Sequence, residues 1–331
     1  MRIGITMGDP AGIGPEVILK ALQDAKTRKT CDIIVLGDTS VLSNTARTLG
    51  IDYPYPSASI STGIDQLPRG VVICDFDNAR DIPIGEASVE SGRASMQYID
   101  RAIDMALTGK IDAVVTGPIN KQAILMAGIR FPGHTEILAQ RTRTKHPVMM
   151  LAGPRIRVAL VTTHLALKKV PGSLTQENIF RTIQITGKAL KNLLRIAEPR
   201  IAVCGLNCHA GDAGRFGNEE ARVIEPAIKQ AQNRGINATG PHSADAIFVK
   251  AAAGEFDAVV VMYHDQGLIP LKLLHFDDAV NITLGLPIIR TSVDHGTAYD
   301  IAGQGKAQAT SMIAAIRYAH RFALAKTWRQ A

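Results

Sequence analysis

The segment MRIGITMGDPAGIGPEVILKAL, residues 1–22, runs a short apolar strand (Ile3–Met7) into a glycine-rich turn, Gly8 to Glu16. A helix follows over Pro15–Leu22, with proline at its first position. Strand, glycine turn and helix in that order open an α/β unit. The turn does not have the GxGxxG spacing and carries no P-loop lysine, so neither a Rossmann fingerprint nor a phosphate-binding P-loop is read from it. The alternation continues along the chain. Strands are predicted at Cys31–Leu36, Val71–Cys74, Ala113–Thr116, Val158–Thr162, Ile201–Cys204 and Ala258–Met262. Helices are predicted at Ser88–Leu107, Thr135–Arg143, Thr175–Ala197, Asn218–Asn233, Ala244–Ala253 and Ala307–Ala325. That pattern is an α/β chain with mostly parallel sheets. The break at AGIRFPG (127–133) suggests two domains, residues 1–129 with 300–331 and residues 130–299, with the last helix returning to the first.

At 331 residues, 46% hydrophobic and 20% charged, the chain has the composition of a globular protein with a substantial core. Gly8 and Asp9 interrupt the N-terminus before an apolar leader could form, and no run approaches the roughly 20 apolar residues of a membrane helix. Cys31, Cys74, Cys204 and Cys208 include no CxxC pair and are expected to be reduced, in a cytoplasmic protein. The net charge of +7 is scattered, and aromatics are only 5%, which argues against nucleic acid and for small anionic substrates.

Three apolar runs end on histidine: IRVALVTTH at His164, RIAVCGLNCH at His209 and FDAVVVMYHD at His264. The carboxyl ends of strands are where open α/β sheets bind ligands. One such histidine is most often a polar residue leaving the core. Three of the nine in the chain, all at strand ends, favour a divalent metal site with positions open for substrate. Imidazoles favour zinc, cobalt or nickel, and Asp245 or Asp265 would harden the site towards magnesium. Cys204 and Cys208 do not have the spacing of a zinc knuckle.

Gly133-His134-Thr135-Glu136 precedes a periodic run, with Thr135 placed as an N-cap. A helix start beside His134 and Thr135 suits an anion as well as it suits a plain cap. Lys272, Asn281 and Arg290 lie in apolar segments, where a buried cation needs an anion or a carboxylate such as Asp277 or Asp278. DHGTAYDIAGQGKA (294–307) is a second glycine-rich loop before a helix. There His295 and Gly296 could meet a base and Asp300 a ribose diol, although such loops often only turn the chain.

Together MGDPAGIGPE, TGPINK, FPGHTE, GLNCHAGDAGRFGNEE, YHDQGLIPLK and DHGTAYDIAG resemble the 4-hydroxythreonine-4-phosphate dehydrogenase family of pyridoxine biosynthesis, from the first residues to past 305. HGTAYDIAGQGKA and GDPAGIGPEV also resemble signatures of the isopropylmalate and isocitrate dehydrogenases. The resemblance implies a two-domain fold of that type with the active site in the interdomain cleft, and a homodimer whose active sites are shared across the interface. It implies one zinc, cobalt or magnesium ion per site on His164, His209 and His264, one of them donated by the neighbouring subunit. It implies substrate contacts at His134, Thr135, Lys272, Asn281 and Arg290. NAD would lie at Gly12, Gly14, His295, Gly296 and Asp300, and Asp245 or Lys272 would be the base. The implied reaction is oxidation at C3 of a 4-phosphorylated hydroxy acid, then β-decarboxylation. Cys208 before His209, GPINKQ and the flanks of FPGHTEIL look more like the sister branch acting on 4-phospho-threonate or 4-phospho-erythronate. A cis-dihydrodiol dehydrogenase of an aromatic dicarboxylate, a non-redox metal-dependent sugar-phosphate lyase and a non-catalytic phosphate-binding protein are the alternatives.

Overall fold

The computed structural model describes residues 1–131 and 133–327. β1 (Arg2–Thr6) is buried almost throughout, as a strand with parallel neighbours on both sides is. β2 (Asp32–Gly37), β3 (Ser57–Ser59), β4 (Val71–Asp75) and β5 (Ala113–Thr116) follow. Next come β6 (Val148–Ala152), β7 (Arg157–Leu160), β8 (Ile201–Cys204), β9 (Ala238–His242), β10 (Ala258–Val261) and β11 (Val280–Leu284), and finally β12 (Arg290–Val293).

The chain divides into two compact units, Met1–Lys145 with Leu286–Leu324, and His146–Gly285 with the C-terminal residues from Ala325. In the first the strand order is β3-β4-β2-β1-β5-β12, with every pair parallel. In the second it is β11-β6-β7-β10-β8-β9, in which only β6 is antiparallel to its neighbours. The boundaries therefore differ from those expected at 129 and 300. The helix His134–Arg141 stays with the first unit because Arg141 forms ion pairs with Asp100 and Asp104 of the helix Val89–Leu107. β12 stays there because it pairs with β5, Arg290 opposite Val114. Consequently His134, Thr135 and Arg290 belong to the first unit, not to the domain that carries the strand-end histidines.

Several elements escaped the sequence pattern. The helix His264–Leu274 contains Gly267 and Pro270, which mask its periodicity. β6 is a short apolar run without alternation, which periodicity alone does not assign; β11 (VNITL) alternates over only five residues, and β12 (RTSV) has three polar residues in four and shows no apolar pattern. The helix predicted from Ser88 forms over Val89–Leu107, and Ser88 and Ser91 make a capping box at its start. Thr135 is not an N-cap, since the helix begins at His134 and its cap position is Gly133, which offers no side chain. The last helix, Thr310–Thr327, joins the first unit through Arg317 with Asp24 and through the Thr291 hydroxyl, which donates to the Ala315 carbonyl. All four cysteines are free, and burial pushes the thiols of Cys31 and Cys204 up to about 12. Among the described residues no helix is long and apolar enough to cross a membrane.

Candidate active site

In the second unit β10 lies between β7 and β8 and runs parallel to both, with Val259 opposite Val158 and Val260 opposite Val203. All three strands therefore end on one edge of the sheet. His164 follows β7, His209 follows β8, and His264 is the first residue of its helix. Buried hydrogen bonds tie these strand ends together. The Thr162 hydroxyl donates to the Met262 carbonyl, the Met262 N–H to Gln266 Oε1, and Gln266 Nε2 to the Gly205 carbonyl, each at 2.7 Å. Gln266 was not singled out in the sequence. Its only signal there is an amide two residues after His264 that the helix must bury.

The His164 and His264 rings lie 5.9 Å apart between centroids. Nδ1 of His264 and Oδ1 of Asp265 are 2.7 Å apart, and with Nδ1 donating to that carboxylate Nε2 carries the lone pair. An imidazole oriented in this way is a good divalent-metal ligand, so this pair fits the expected ion. His209 is not part of the pair. Its ring is 6.5 Å from that of Phe216. The Ser243 hydroxyl, and more weakly His209, hold the Asp245 carboxyl below the usual range. Among the described residues no three His, Cys, Asp or Glu side chains come together to hold a metal ion. The loop carrying His209 is strained: His209 and Ala210 (φ 51° each), Asp212 (44°) and Ala213 (53°) are left-handed, a conformation that costs non-glycine residues about 1–2 kcal/mol each.

Lys272 is only half-buried, with Nζ 5.6 Å from the centre of the Phe276 ring. Its neighbours Leu273 and Phe276 are 85% and 74% exposed, so the expectation of a cation buried among apolar residues fails here. Asp278, expected as a salt-bridge partner, pairs instead with Nδ1 of His275 at 3.0 Å. Asn281 is half-buried on β11.

The first unit holds the buried cation. Arg290 is 3% exposed, and its Nε and one terminal nitrogen donate to Thr116 Oγ1 at 3.2 and 2.8 Å. Burial lowers its pKa to about 9, with Glu136 acting in the opposite direction. Next to it, Nε2 of His134 is buried without a hydrogen-bond partner, while Thr135 occupies the second position of the helix. A buried guanidinium, an unsatisfied imidazole nitrogen and a helix start fit an anionic ligand. Burial, and after it the Arg290 charge, hold the His134 imidazole well below its ordinary value of 6.5. The folded protein therefore resists a proton that the unfolded chain accepts. The resulting stability is present above about pH 6.5 and is lost as the pH falls below it. In His134→Asn, the acid slope of the unfolding free energy between about pH 6.5 and 5.5 should flatten by up to about 1.4 kcal/mol per pH unit, measured by denaturant titration.

The same unit brings together its two glycine-rich loops. The Ile13 N–H donates to the Thr297 carbonyl at 2.9 Å. Tyr299 donates to the buried Asp9 carboxylate at 2.7 Å, and the Ala11 N–H to the same group at 2.9 Å. Burial raises the Asp9 carboxyl above its usual range. Glu16 accepts from the Ala307 N–H at 2.8 Å, and Lys20 donates to the Ala307 carbonyl at 2.6 Å. Gly12 and Gly14 both sit tightly against the protein's own chain. A Cβ on Gly12 would lie 2.9 Å from Thr297, and one on Gly14 would lie 2.2 Å from the Met7 carbonyl oxygen, so both glycines make room for the protein's own chain. Gly296 and Asp300 are exposed and His295 is half-buried, and a Cβ on Gly296 would meet open space.

Known proteins resemble this chain along nearly its whole length. The 4-hydroxythreonine-4-phosphate dehydrogenase of Desulfosudis oleivorans is 54% identical over 318 residues, covering 95% of this chain and 94% of the relative. The D-threonate 4-phosphate dehydrogenase of Cupriavidus necator is 44% identical, covering 95% of each. The crystal structure of 4-hydroxythreonine-4-phosphate dehydrogenase from Klebsiella pneumoniae superposes with a TM-score of 0.86 at 39% identity, covering 97% of this chain and 98% of that one. A family sequence profile, described as pyridoxal phosphate biosynthetic protein PdxA, matches residues 29–319, and the chain belongs to that family.

Proposed function

We propose that this protein is an NAD-dependent, divalent-metal-dependent dehydrogenase that oxidises the C3 hydroxyl of a 4-phosphorylated hydroxy acid and then releases carbon dioxide. The observation that carries this reading is the emergence of His164, His209 and His264 from the ends of three neighbouring parallel strands. The substrate is 4-hydroxythreonine 4-phosphate, giving 3-amino-2-oxopropyl phosphate, or 4-phospho-D-threonate or -erythronate, giving dihydroxyacetone phosphate.

When bound, the metal supplies Lewis acidity at the C3 oxygen and NAD accepts the hydride. His164 and His264 are two of its ligands, and Asp265 holds the His264 tautomer that offers Nε2. His209 is the third. Arg290 neutralises one anionic end of the substrate, with His134 and Thr135 offering it hydrogen bonds, and Lys272 and Asn281 serve the other. Asp245, ionised at neutral pH, or Lys272 removes the hydroxyl proton. The carbon–carbon bond to the carboxylate then breaks, its electron pair passes to the keto group, and a proton returns to carbon. Asp300 accepts from the ribose diol and repels a 2′-phosphate, favouring NAD over NADP.

The active form is a homodimer. Ile269, Leu273 and Phe276, on or just past the helix that begins with His264, are 68%, 85% and 74% exposed. A second copy that covers them would pack along the helix that His264 begins, and a ligand from the partner could then complete the metal site. Light scattering should give twice the chain mass.

The test is NAD reduction with each phosphorylated substrate, an unphosphorylated control and an aromatic cis-dihydrodiol dicarboxylate, in zinc, cobalt and magnesium. NADH formation on one phosphorylated acid alone supports the proposal. Turnover of the dihydrodiol without phosphate would replace it with the alternative dehydrogenase reading. Conversion without NAD would make the protein a lyase, and substrate binding without conversion under any metal would make it a binding protein.

A further inference from the structure

Glu220, the last residue of GRFGNEE, takes part in none of the chemistry above. Its side chain is 4% exposed at the start of the π-helical turn Glu220–Ile224. Oε1 accepts from the backbone N–H groups of Leu206 and Asn207, both at 2.8 Å. Oε2 accepts from Asn207 Nδ2 at 3.0 Å, and Glu219 accepts from the same amide nitrogen at 2.9 Å.

These bonds grip the chain just after β8, where it enters an unusual turn. His209, Ala210, Gly211, Asp212, Ala213 and Gly214 all have positive φ in succession. Cβ crowding makes such a run unstable by itself, and it persists only where its surroundings over-determine it. The Glu220 carboxylate fills the space between the strand end and the turn. A Cβ on Gly211 would lie 2.7 Å from Oε2, and one on Gly205 would lie 3.1 Å from Oε1. The residues on both flanks of His209 are therefore shaped around this one side chain.

We propose that Glu220 is a positioning residue for His209, holding the left-handed turn so that the imidazole is already presented when the metal arrives. This rests on the reading of His209 as a metal ligand given above. The loop's conformational cost is met during folding, and metal affinity depends on a carboxylate that never touches the ion.

The experiment uses the full-length protein, stripped with a chelator and titrated with Co2+, as wild type, Glu220→Ala, Glu220→Gln and His209→Ala. Glu220→Ala is expected to weaken Co2+ binding about 10- to 100-fold and to shift the cobalt absorption band. Glu220→Gln keeps an oxygen for Leu206 and Asn207 and should stay within a few-fold of wild type. NAD binding should be unchanged in both. Amide exchange of the metal-free Glu220→Ala protein should accelerate at Leu206 and Asn207 while β8 stays protected. Should Glu220→Ala not fold, Asn207→Ala removes only the amide shared by Glu219 and Glu220 and should weaken Co2+ several-fold. Co2+ affinity within twofold of wild type in Glu220→Ala, or in Asn207→Ala if that variant replaces it, while His209→Ala binds none, overturns the proposal alone. A wild type that binds no Co2+, or binds it equally well without His209, overturns the metal-ligand reading and the proposal with it.

Discussion

With His209 replaced by alanine, the purified protein is expected to lose its bound divalent metal and its NAD reduction together. Three neutral imidazoles make a site that holds a metal and leaves room for substrate. Removing one of the proposed ligands would leave only the His164–His264 pair, with ring centroids 5.9 Å apart, which is too few to retain an ion against solvent. The Lewis acid is worth several kcal/mol of charge stabilisation, so turnover should fall by about 10³-fold or more. Metal analysis of the dialysed protein and the NADH absorbance report the two losses separately. Wild-type turnover in a metal-free His209→Ala protein would remove the metal from the mechanism.

Arg290→Met is expected to separate binding from stability. The guanidinium is almost fully buried, and burial depresses its pKa, so the fold bears the cost of a desolvated charge. Methionine fills much of the same space without that cost. Thr116 Oγ1 keeps its own bond to the Ser292 hydroxyl at 2.9 Å, so no hydroxyl is orphaned by the change. Thermal stability should therefore change less than activity does. Activity should not survive, because an anion in a buried corner would lose its charge-assisted hydrogen bonds. A loss of about 3–5 kcal/mol corresponds to about 10²- to 10⁴-fold in kcat/KM. Arg290→Lys should recover little, since an ammonium does not reproduce the planar fork. The His134 imidazole should titrate at higher pH in Arg290→Met, because the Arg290 charge is one of the two causes that depress it, and NMR would follow that shift. Activity on a phosphorylated substrate within tenfold of wild type would show that Arg290 holds no substrate anion.

Elements with a strong local signal were legible in the sequence, among them β1, the continuous apolar runs β5, β8 and β10, and the helix that opens at Ser88. The helix His264–Leu274 was not, because glycine and proline inside it erase the pattern while its contacts with β7 and β10 hold it. The strand-end placement of the three histidines was legible because each stands where an apolar run turns polar, a signal confined to about ten residues. Gln266 and Glu220 were not, because their meaning lies in the backbone groups they meet, Met262 with Gly205 for one and Leu206 with Asn207 for the other.

By itself, then, the sequence determined the α/β class, the family signature and which residue types stand at strand ends. These depend on hydrophobic runs and turn chemistry that act between near neighbours in the chain. Only the tertiary structure decided that β10 lies between β7 and β8, that His134 shares a unit with Arg290, and that Gly12 closes against Thr297. Those outcomes are choices of partner made across long separations, through strand pairing, ion pairs and close packing that no local pattern encodes.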